Sequence, residues 1–504
     1  MATLAETKPS RSKQVRRALR RLLYVLAGLL LVLAVSFFLL PVWLSNEQGR
    51  NYVLGRLNQK LTAMGLPADG PNAGLSAASW QLSWFGGITV DELTFTANDG
   101  TRILSVPKVE TQWSLWSALW GSRDFRTTTL HAPKIVVLKR SDGSTHLDTW
   151  LSQLRNDDTL LRTLRAAIKI DNGDIELRSQ ATGQTIRLTN VTAEVPIADP
   201  TLQVHIIAQG LSNTATEAKT VRLQATLPGP AEWSTRPWAL LHDVDFKGAT
   251  LPTAAVCDFA GIDPRWAESM GATLDEVNIR NRVTWPTAGN GVSKPEFLLR
   301  GVNGRVQGRL TAVWPRAGAP MLNLTAGDDA LDAALAVSPP LSRALGQLNP
   351  VLVDVVASDG PIAVMVQDMS WPLGDAAQMT ATLRLTAGRS VRISDRGVMG
   401  KLVGIADRPA GGATKPAGEM AAIVQPTRVR LANSAASIAE MLMTIEGGPS
   451  GQRRRFRFTG STGLDGQVEI VATVPLTTHG GLSSGTAELP IRGTIDRPIV
   501  VLPR

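Results

Sequence analysis

Three hydrophobic rhythms follow one another along this chain. Residues 22–44, LLYVLAGLLLVLAVSFFLLPVWL, run for 23 positions without a charge. Residues 46–62, NEQGRNYVLGRLNQKLT, place Val53, Leu57 and Leu61 every four positions with Leu54 beside them, the spacing of a short amphipathic helix. From Ala73 onward apolar and polar residues alternate, the period of a half-buried strand. The first alternating stretch holds Ile88, Val90, Leu93, Phe95, Leu104, Val106 and Val109, with Asp99-Gly100 as a turn between two runs.

The same plan then recurs. Residues 127–148, TTTLHAPKIVVLKRSDGSTHLD, read as strand, Asp142-Gly143 turn and strand. Residues 168–195 repeat it, with Asn172-Gly173 and Gly183 as turns. SLWSALW (114–120) interrupts as a short helix or loop with exposed tryptophans, and 148–168 predicts an amphipathic helix. Beyond Val195 to about Pro286 the pattern is irregular. Pro228, Pro230, Pro237, Pro252 and Pro264 favour edges and loops there, with a helical turn within 264–277. Alternation returns at 295–315, a helix is expected around Pro339-Pro340, and strands over 361–371 and 379–394. A Gly/Pro/Ala-rich loop covers 406–421. The last hundred residues are strand-rich, with Asp465-Gly466 as a turn and two short closing strands.

The uncharged run decides how the rest is placed. At about 1.5 Å per residue it spans roughly 34 Å as a helix, enough for a hydrocarbon core of about 30 Å. Lys8, Arg11, Lys13, Arg16, Arg17, Arg20 and Arg21 precede it against Glu6 alone, which orients the N-terminus to the cytoplasm. A cleaved signal would have an apolar region of about 7–15 residues and a small-residue cleavage site. Pro41, Val42, Trp43 and Leu44 offer no such site, so the segment is expected to stay as a single-pass anchor, with Trp43 at the far headgroup level. The expected organisation is a basic cytoplasmic tail (1–21), an anchor (22–44), an N-terminal β module (45–195), an irregular β-rich middle (196–375) and a C-terminal β module (376–504).

Composition adds mostly exclusions. The net charge of +9 falls to +3 once residues 1–21 are set aside, so the excess belongs to the membrane-orienting tail and nucleic acid loses its main support. Cys257 stands alone in AAVCDFA and makes neither an internal disulfide nor a cysteine metal site. His131, His146, His205, His242 and His479 show no metal-ligand spacing. Gly397 to Lys401 lacks the spacing and hydroxyl of a phosphate loop. Gly481-Leu482-Ser483-Ser484-Gly485 matches the nucleophile-elbow pattern, yet a strand follows it and no histidine lies beyond His479. The run 452–458, QRRRFRF, puts Arg455 and Arg457 on one strand face and Phe456 and Phe458 on the other, a solvated face over a packed one. No catalytic, cofactor or metal set emerges, and no enzyme is expected.

Several stretches together resemble the AsmA-like superfamily, which includes AsmA, TamB and their relatives. They are the basic N-terminus and anchor followed by GRNYVLGRLNQKL, then LSAASWQLSWFGGITVDELTF, LSVPKVETQWSLWSALWG and TTTLHAPKIVVLKRSDGSTHLD. Near the end stand VRISDRGVMGKLVGI, TRVRLANSAASIAEMLMTIEG, RFRFTGSTGLDGQVEIVATVPLT and LPIRGTIDRPIVVLP. The motifs cover about a third of the chain. The resemblance implies a mainly β fold with short helices: an N-terminal transmembrane helix followed by an elongated, trough-like β-sheet. It further implies an inner-membrane protein with its bulk in the periplasm, no cofactor, and an apolar groove for lipid acyl chains. Its partners would be membrane lipids, phospholipid foremost, and envelope proteins, in phospholipid transport or outer-membrane assembly. Ile88, Val90, Leu104, Val106, Ile135 and Val137 are the groove candidates; Leu22, Leu30, Phe37 and Trp43 are the anchor candidates. The rival reading is a tethered assembly scaffold with dry sheets that recognises envelope proteins along a strand edge. An anchored β-helix enzyme acting on cell-wall glycan is a third, and lacks the convergent carboxylates it needs.

Overall fold

The computed structural model describes residues 39–63, 73–122, 124–145, 165–197, 203–212, 219–228, 243–284, 289–315, 319–324, 329–373, 375–388, 390–406, 418–446, 453–477 and 483–502. The chain divides into two compact units, residues 1–131 and 132–504. Strand is the dominant element of both, as alternation predicts. No helix among the described residues is long and apolar enough to cross a membrane. Most of the expected anchor, with Leu22, Leu30 and Phe37, lies outside the described residues.

The first unit begins with helix α1 (Glu47–Ala63). Strands β1 (Gly74–Ser76) and β2 (Ser79–Gln81) both pair antiparallel with β3 (Ile88–Thr96). Strand β4 (Arg102–Thr111) pairs with β3 and with β5 (Asp124–His131), and helix α2 (Leu115–Leu119) separates β4 from β5. The turn at Asp99-Gly100 forms as expected: Gly100 has φ +80° and the Thr101 amide donates to the Asp99 carboxylate at 2.8 Å. Helix α1 buries most of the expected face, with Val53 and Leu61 half-buried, but not all of it. Leu57 is 41 % exposed and Leu54 is buried. Asn58 beside that face meets the edge strand, accepting from the Leu75 amide at 2.8 Å and donating to its carbonyl at 3.0 Å. A side-chain amide thus satisfies the backbone of an otherwise open edge.

The longer strands of the second unit form one ladder in which each pairs with the next, and shorter strands pair along its margins. Strand β6 (Lys134–Lys139) lies parallel to β7 (Arg165–Ser179), and every later step is antiparallel. The series continues through β8 (Thr185–Ile197), β9 (Gln203–Ser212), β10 (Lys219–Pro228) and β11 (Asp243–Gly248). Next come β12 (Thr273–Asn281), β13 (Glu296–Gly301), β14 (Gly304–Arg309) and β15 (Ala330–Leu335). Then follow β16 (Ile362–Pro372), β17 (Thr380–Ala387), β18 (Thr427–Ala432) and β19 (Ala435–Glu446). It closes with β20 (Arg454–Gly463), β21 (Gln467–Thr477), β22 (Ser483–Thr494) and β23 (Arg497–Val500). Short helices α3 (Thr253–Phe259), α4 (Ala267–Met270), α5 (Pro339–Gly346) and α6 (Val398–Ala406) lie between the strands.

Four sequence expectations change here. Asn172-Gly173 is no turn: β7 runs straight through it, with Asn172 at φ +53° and register shifts on both sides of Gly173. The same dipeptide chemistry that closes a hairpin makes a bulge in a strand already paired on both sides. The helix expected over 148–168 does not reach its end, because Arg165 to Ile168 already belong to β7; its earlier part lies outside the described residues. The loop expected over 406–421 gives way to a strand at Glu419–Val424. The region after Val195, read as irregular, holds long regular ladder strands. Among its prolines, Pro228 ends β10, and Pro252 and Pro264 stand at helix starts.

Candidate functional site

Residues directly opposite each other in neighbouring strands share a face of the sheet. Following the second unit's register from strand to strand traces a single row. It runs Ile170, Ala193, Ala208, Leu223, Phe246, Ile279, Phe297, Gly308, Leu331, Val366 and Leu383. It continues with Val429, Ile438, Gly460, Ile470, Ile491 and Val500. Every position is apolar or glycine. Gly308 sits opposite Phe297, and a Cβ there would stand 2.6 Å from the ring, so the glycine is the space the aromatic occupies.

The other face is charged, and its charges are matched in register. Lys169 faces Glu194 at 3.8 Å, Asp245 faces Arg280 at 3.4 Å, Glu276 faces Arg300 at 3.3 Å and Glu296 faces Arg309 at 2.7 Å. Exposed pairs of this kind add little stability each. A one-residue slip, however, would move every charge onto the apolar side, so the two faces together hold the register. A depression of about 350 Å³ has Arg280, Glu296, Gln307, Arg309 and Asp332 in its lining. Phe297, Leu298 and Ala330 line it too, so its lining is mixed polar and apolar.

Burial is uneven along the apolar row. From Ile170 to Leu383 each member is only half-buried, whereas Val429, Ile438, Ile470 and Ile491 are nearly or wholly covered. Helix α6 accounts for part of the difference: it packs on β21 and β23 and buries Val398, Met399, Leu402, Val403 and Ala406. Its first turn is held by Asp354, whose carboxylate accepts from the Val398 amide at 2.9 Å. Burial pushes the Asp354 carboxyl up, against amide hydrogen bonds from Val398 and Met399 and the Lys401 charge, which pull it down. The carboxylate and the Asp395 carbonyl leave no room for a Cβ at Gly397 or Gly400. The glycines that fail as a phosphate loop therefore serve close packing.

Helix α3 packs against β7, β8 and β12. Asp258 on it is buried and takes hydrogen bonds from Thr182 and from the Lys139 ammonium, whose Nζ is 3.1 Å from Oδ1. Burial alone would raise this carboxyl; hydrogen bonds from Thr182, Ser179 and Lys139, with the Lys139 charge, outweigh it and hold the carboxyl below the usual aspartate range. Next to it, burial and then the Asp263 charge push the Cys257 thiol up, away from the reactive thiolate. No cluster of three or more metal-ligating side chains occurs among the described residues.

The six groove candidates fall in two places. Ile88, Val90, Leu104 and Val106 lie in the first unit, where Val90 faces Val109, Leu104 faces Phe95 and Val106 faces Leu93. Val106 is fully covered by protein, while the other three are half-buried. Ile135 and Val137 lie in β6 of the second unit, half-buried and opposite Ile175 and Leu177 of β7. Trp43 is 50 % exposed. The long row from Ile170 to Leu383 was not identified from sequence. Alternation marks each strand's apolar face, but only the register shows that the faces join. No family model, no curated protein and no solved structure matches the chain.

Proposed function

We propose that this chain is an envelope protein of the inner membrane that holds lipid acyl chains against the half-buried apolar row of its second unit. Residues 22–44 fix it to the membrane, with the remainder in the periplasm, and the work it supports is phospholipid transport or outer-membrane assembly. The observation that carries the reading is the unbroken apolar register from Ile170 to Leu383, only half-buried over many strands. An apolar stripe of that length on a folded protein marks a binding surface. Each methylene moved from water onto it contributes about 0.8 kcal/mol, so a lipid chain is held without any dedicated side chain. The resemblance to AsmA-like proteins points the same way.

The test places a photo-crosslinking phenylalanine analogue in the full-length protein in cells, at Leu331 on the apolar face or at Gln307 on the charged face. A lipid adduct identified by mass spectrometry at Leu331 and not at Gln307 is the expected result. No lipid adduct at Leu331 would remove the proposal. The scaffold reading has its own observation: in the described pairings β23 joins the ladder through β22 alone, and its Ile499 is 60 % exposed. Protein adducts from the analogue at Ile499, without lipid at Leu331, would favour strand-edge recognition.

A further inference from the structure

Four exposed large hydrophobic side chains of the first unit, the two most exposed among them, gather in two uncharged segments. Residues 83–87 read SWFGG and 113–121 read WSLWSALWG. Phe85 is 73 % exposed, Trp120 71 % and Leu119 61 %, with Trp116 also on the surface. The rings form a chain: Phe85 to Trp116 at 5.7 Å, and Trp116 to Trp120 at 5.7 Å edge-on. This surface is built, not frayed. The Leu115 amide donates to the Ser83 carbonyl at 3.1 Å and the Trp116 amide to the Trp84 carbonyl at 3.0 Å, locking the two loops together. Ser114 caps α2, accepting from the Ser117 amide at 3.3 Å. Beneath, Trp113 stacks on Phe125 at 4.9 Å, and Trp80 and Trp84 are buried.

The same unit joins these loops to the end of the uncharged run. The Trp80 indole N–H donates to the Leu44 carbonyl at 2.7 Å, and the Leu82 amide donates to the Ser45 hydroxyl at 3.3 Å. Residues 39–45 are helical, with Leu39, Val42 and Trp43 exposed. A rigid, uncharged group of tryptophans tied to the last turn of a membrane-length segment has the composition of an interfacial belt, where the apolar ring body and the indole N–H each find a suitable environment.

We infer that Phe85, Trp116, Leu119 and Trp120 insert into the headgroup–acyl boundary of the leaflet in which residues 22–44 end. They seat the first unit on the bilayer and fix its direction relative to the anchor. This rests on the anchored reading proposed above.

The test uses the full-length chain with Cys257→Ser and one introduced cysteine, Leu119→Cys or Asn98→Cys, each carrying an environment-sensitive fluorophore. Asn98 lies in the β3–β4 turn, at the opposite end of strands about 30 Å long. The protein is reconstituted into phosphatidylethanolamine–phosphatidylglycerol vesicles doped with doxyl-labelled lipid. Quenching at least about twofold stronger at position 119 than at 98 is expected from interfacial burial. Adding Phe85→Ser and Trp120→Ser is expected to cut the quenching at 119 about twofold while the protein still floats with the vesicles. Equal quenching at 119 and 98, or a label at 119 shielded from water but untouched by doxyl lipid, overturns the seat and leaves the anchor standing. Failure to float with the vesicles overturns the anchor and the seat with it.

Discussion

Two aspartates, the buried Asp258 and the half-buried Asp354, respond to pH in opposite directions. Asp258 has its carboxyl held below the usual aspartate range, so its ionised form stabilises the fold. That contribution is complete above the ordinary aspartate pKa of about 3.9 and is lost as pH falls through the lower folded value. Asp354 is raised by burial, so the stability its protonated form adds is complete below about 3.9 and is lost as pH rises through the raised value. At neutral pH Asp354 is therefore a half-buried charge partly offset by two amides. Asp258→Asn, which leaves Lys139 without its charged partner, is expected to cost roughly 1.5–3 kcal/mol at pH 7 and less near pH 3. Asp354→Asn keeps an amide-accepting oxygen at the start of α6 and is expected to stabilise at pH 7 and to be close to neutral near pH 4. Urea midpoints of both variants at the two ends of the range check this. The same sign of effect for both at pH 7 would show that the environments have been misread.

Helix α6 gives a paired experiment on one element. At Gly400 a Cβ would stand 1.6 Å from the Asp395 carbonyl oxygen, while at Gly404 nothing lies within 4 Å. Gly400→Ala is expected to destabilise by about 1–3 kcal/mol through forced displacement of packed backbone. Gly404→Ala is expected to stabilise by about 0.5–1 kcal/mol, because alanine loses less backbone freedom in a helix. Thermal unfolding of the two variants gives the comparison, and equal shifts would argue against the close approach. This helix also marks where sequence pattern stops being informative. VMGKLVGIA is apolar nearly throughout, so its period is weak, and its cap comes from Asp354, over forty residues away. Turns such as Asp99-Gly100, Asp142-Gly143 and Asp465-Gly466 were legible because their chemistry is local: the glycines take φ of +80°, +83° and +84°. Asn172-Gly173 carries the same signal and makes a bulge, since the neighbouring strands on either side decide the outcome.

For the molecule the informative quantity is how far along the apolar row protein itself does the covering. Alternation told which residues of each strand are apolar, and the groove candidates Ile135 and Val137 came from that signal. It carries nothing about which strand pairs with which, so Phe297, Leu331 and Val366 stayed hidden among many alternating residues. The register joins them, and burial then divides the row by role. Where α6 packs, Ile470 is 2 % exposed and sits within the large core. Ile470→Asp places a charge in that core without a partner and is expected to abolish cooperative folding of the second unit. Leu331 is half-buried and faces Gly308 and Val366, which leaves an introduced carboxylate a path to water. Leu331→Asp is expected to keep the fold, at a cost of about 1–2 kcal/mol, and to lose most co-purifying lipid. Circular dichroism and urea unfolding read the first effect; lipid extraction and mass spectrometry of the full-length protein read the second. If Leu331→Asp unfolds the unit as Ile470→Asp does, the row is ordinary core along its whole length. If it folds and retains lipid, the apolar face is not where lipid is held.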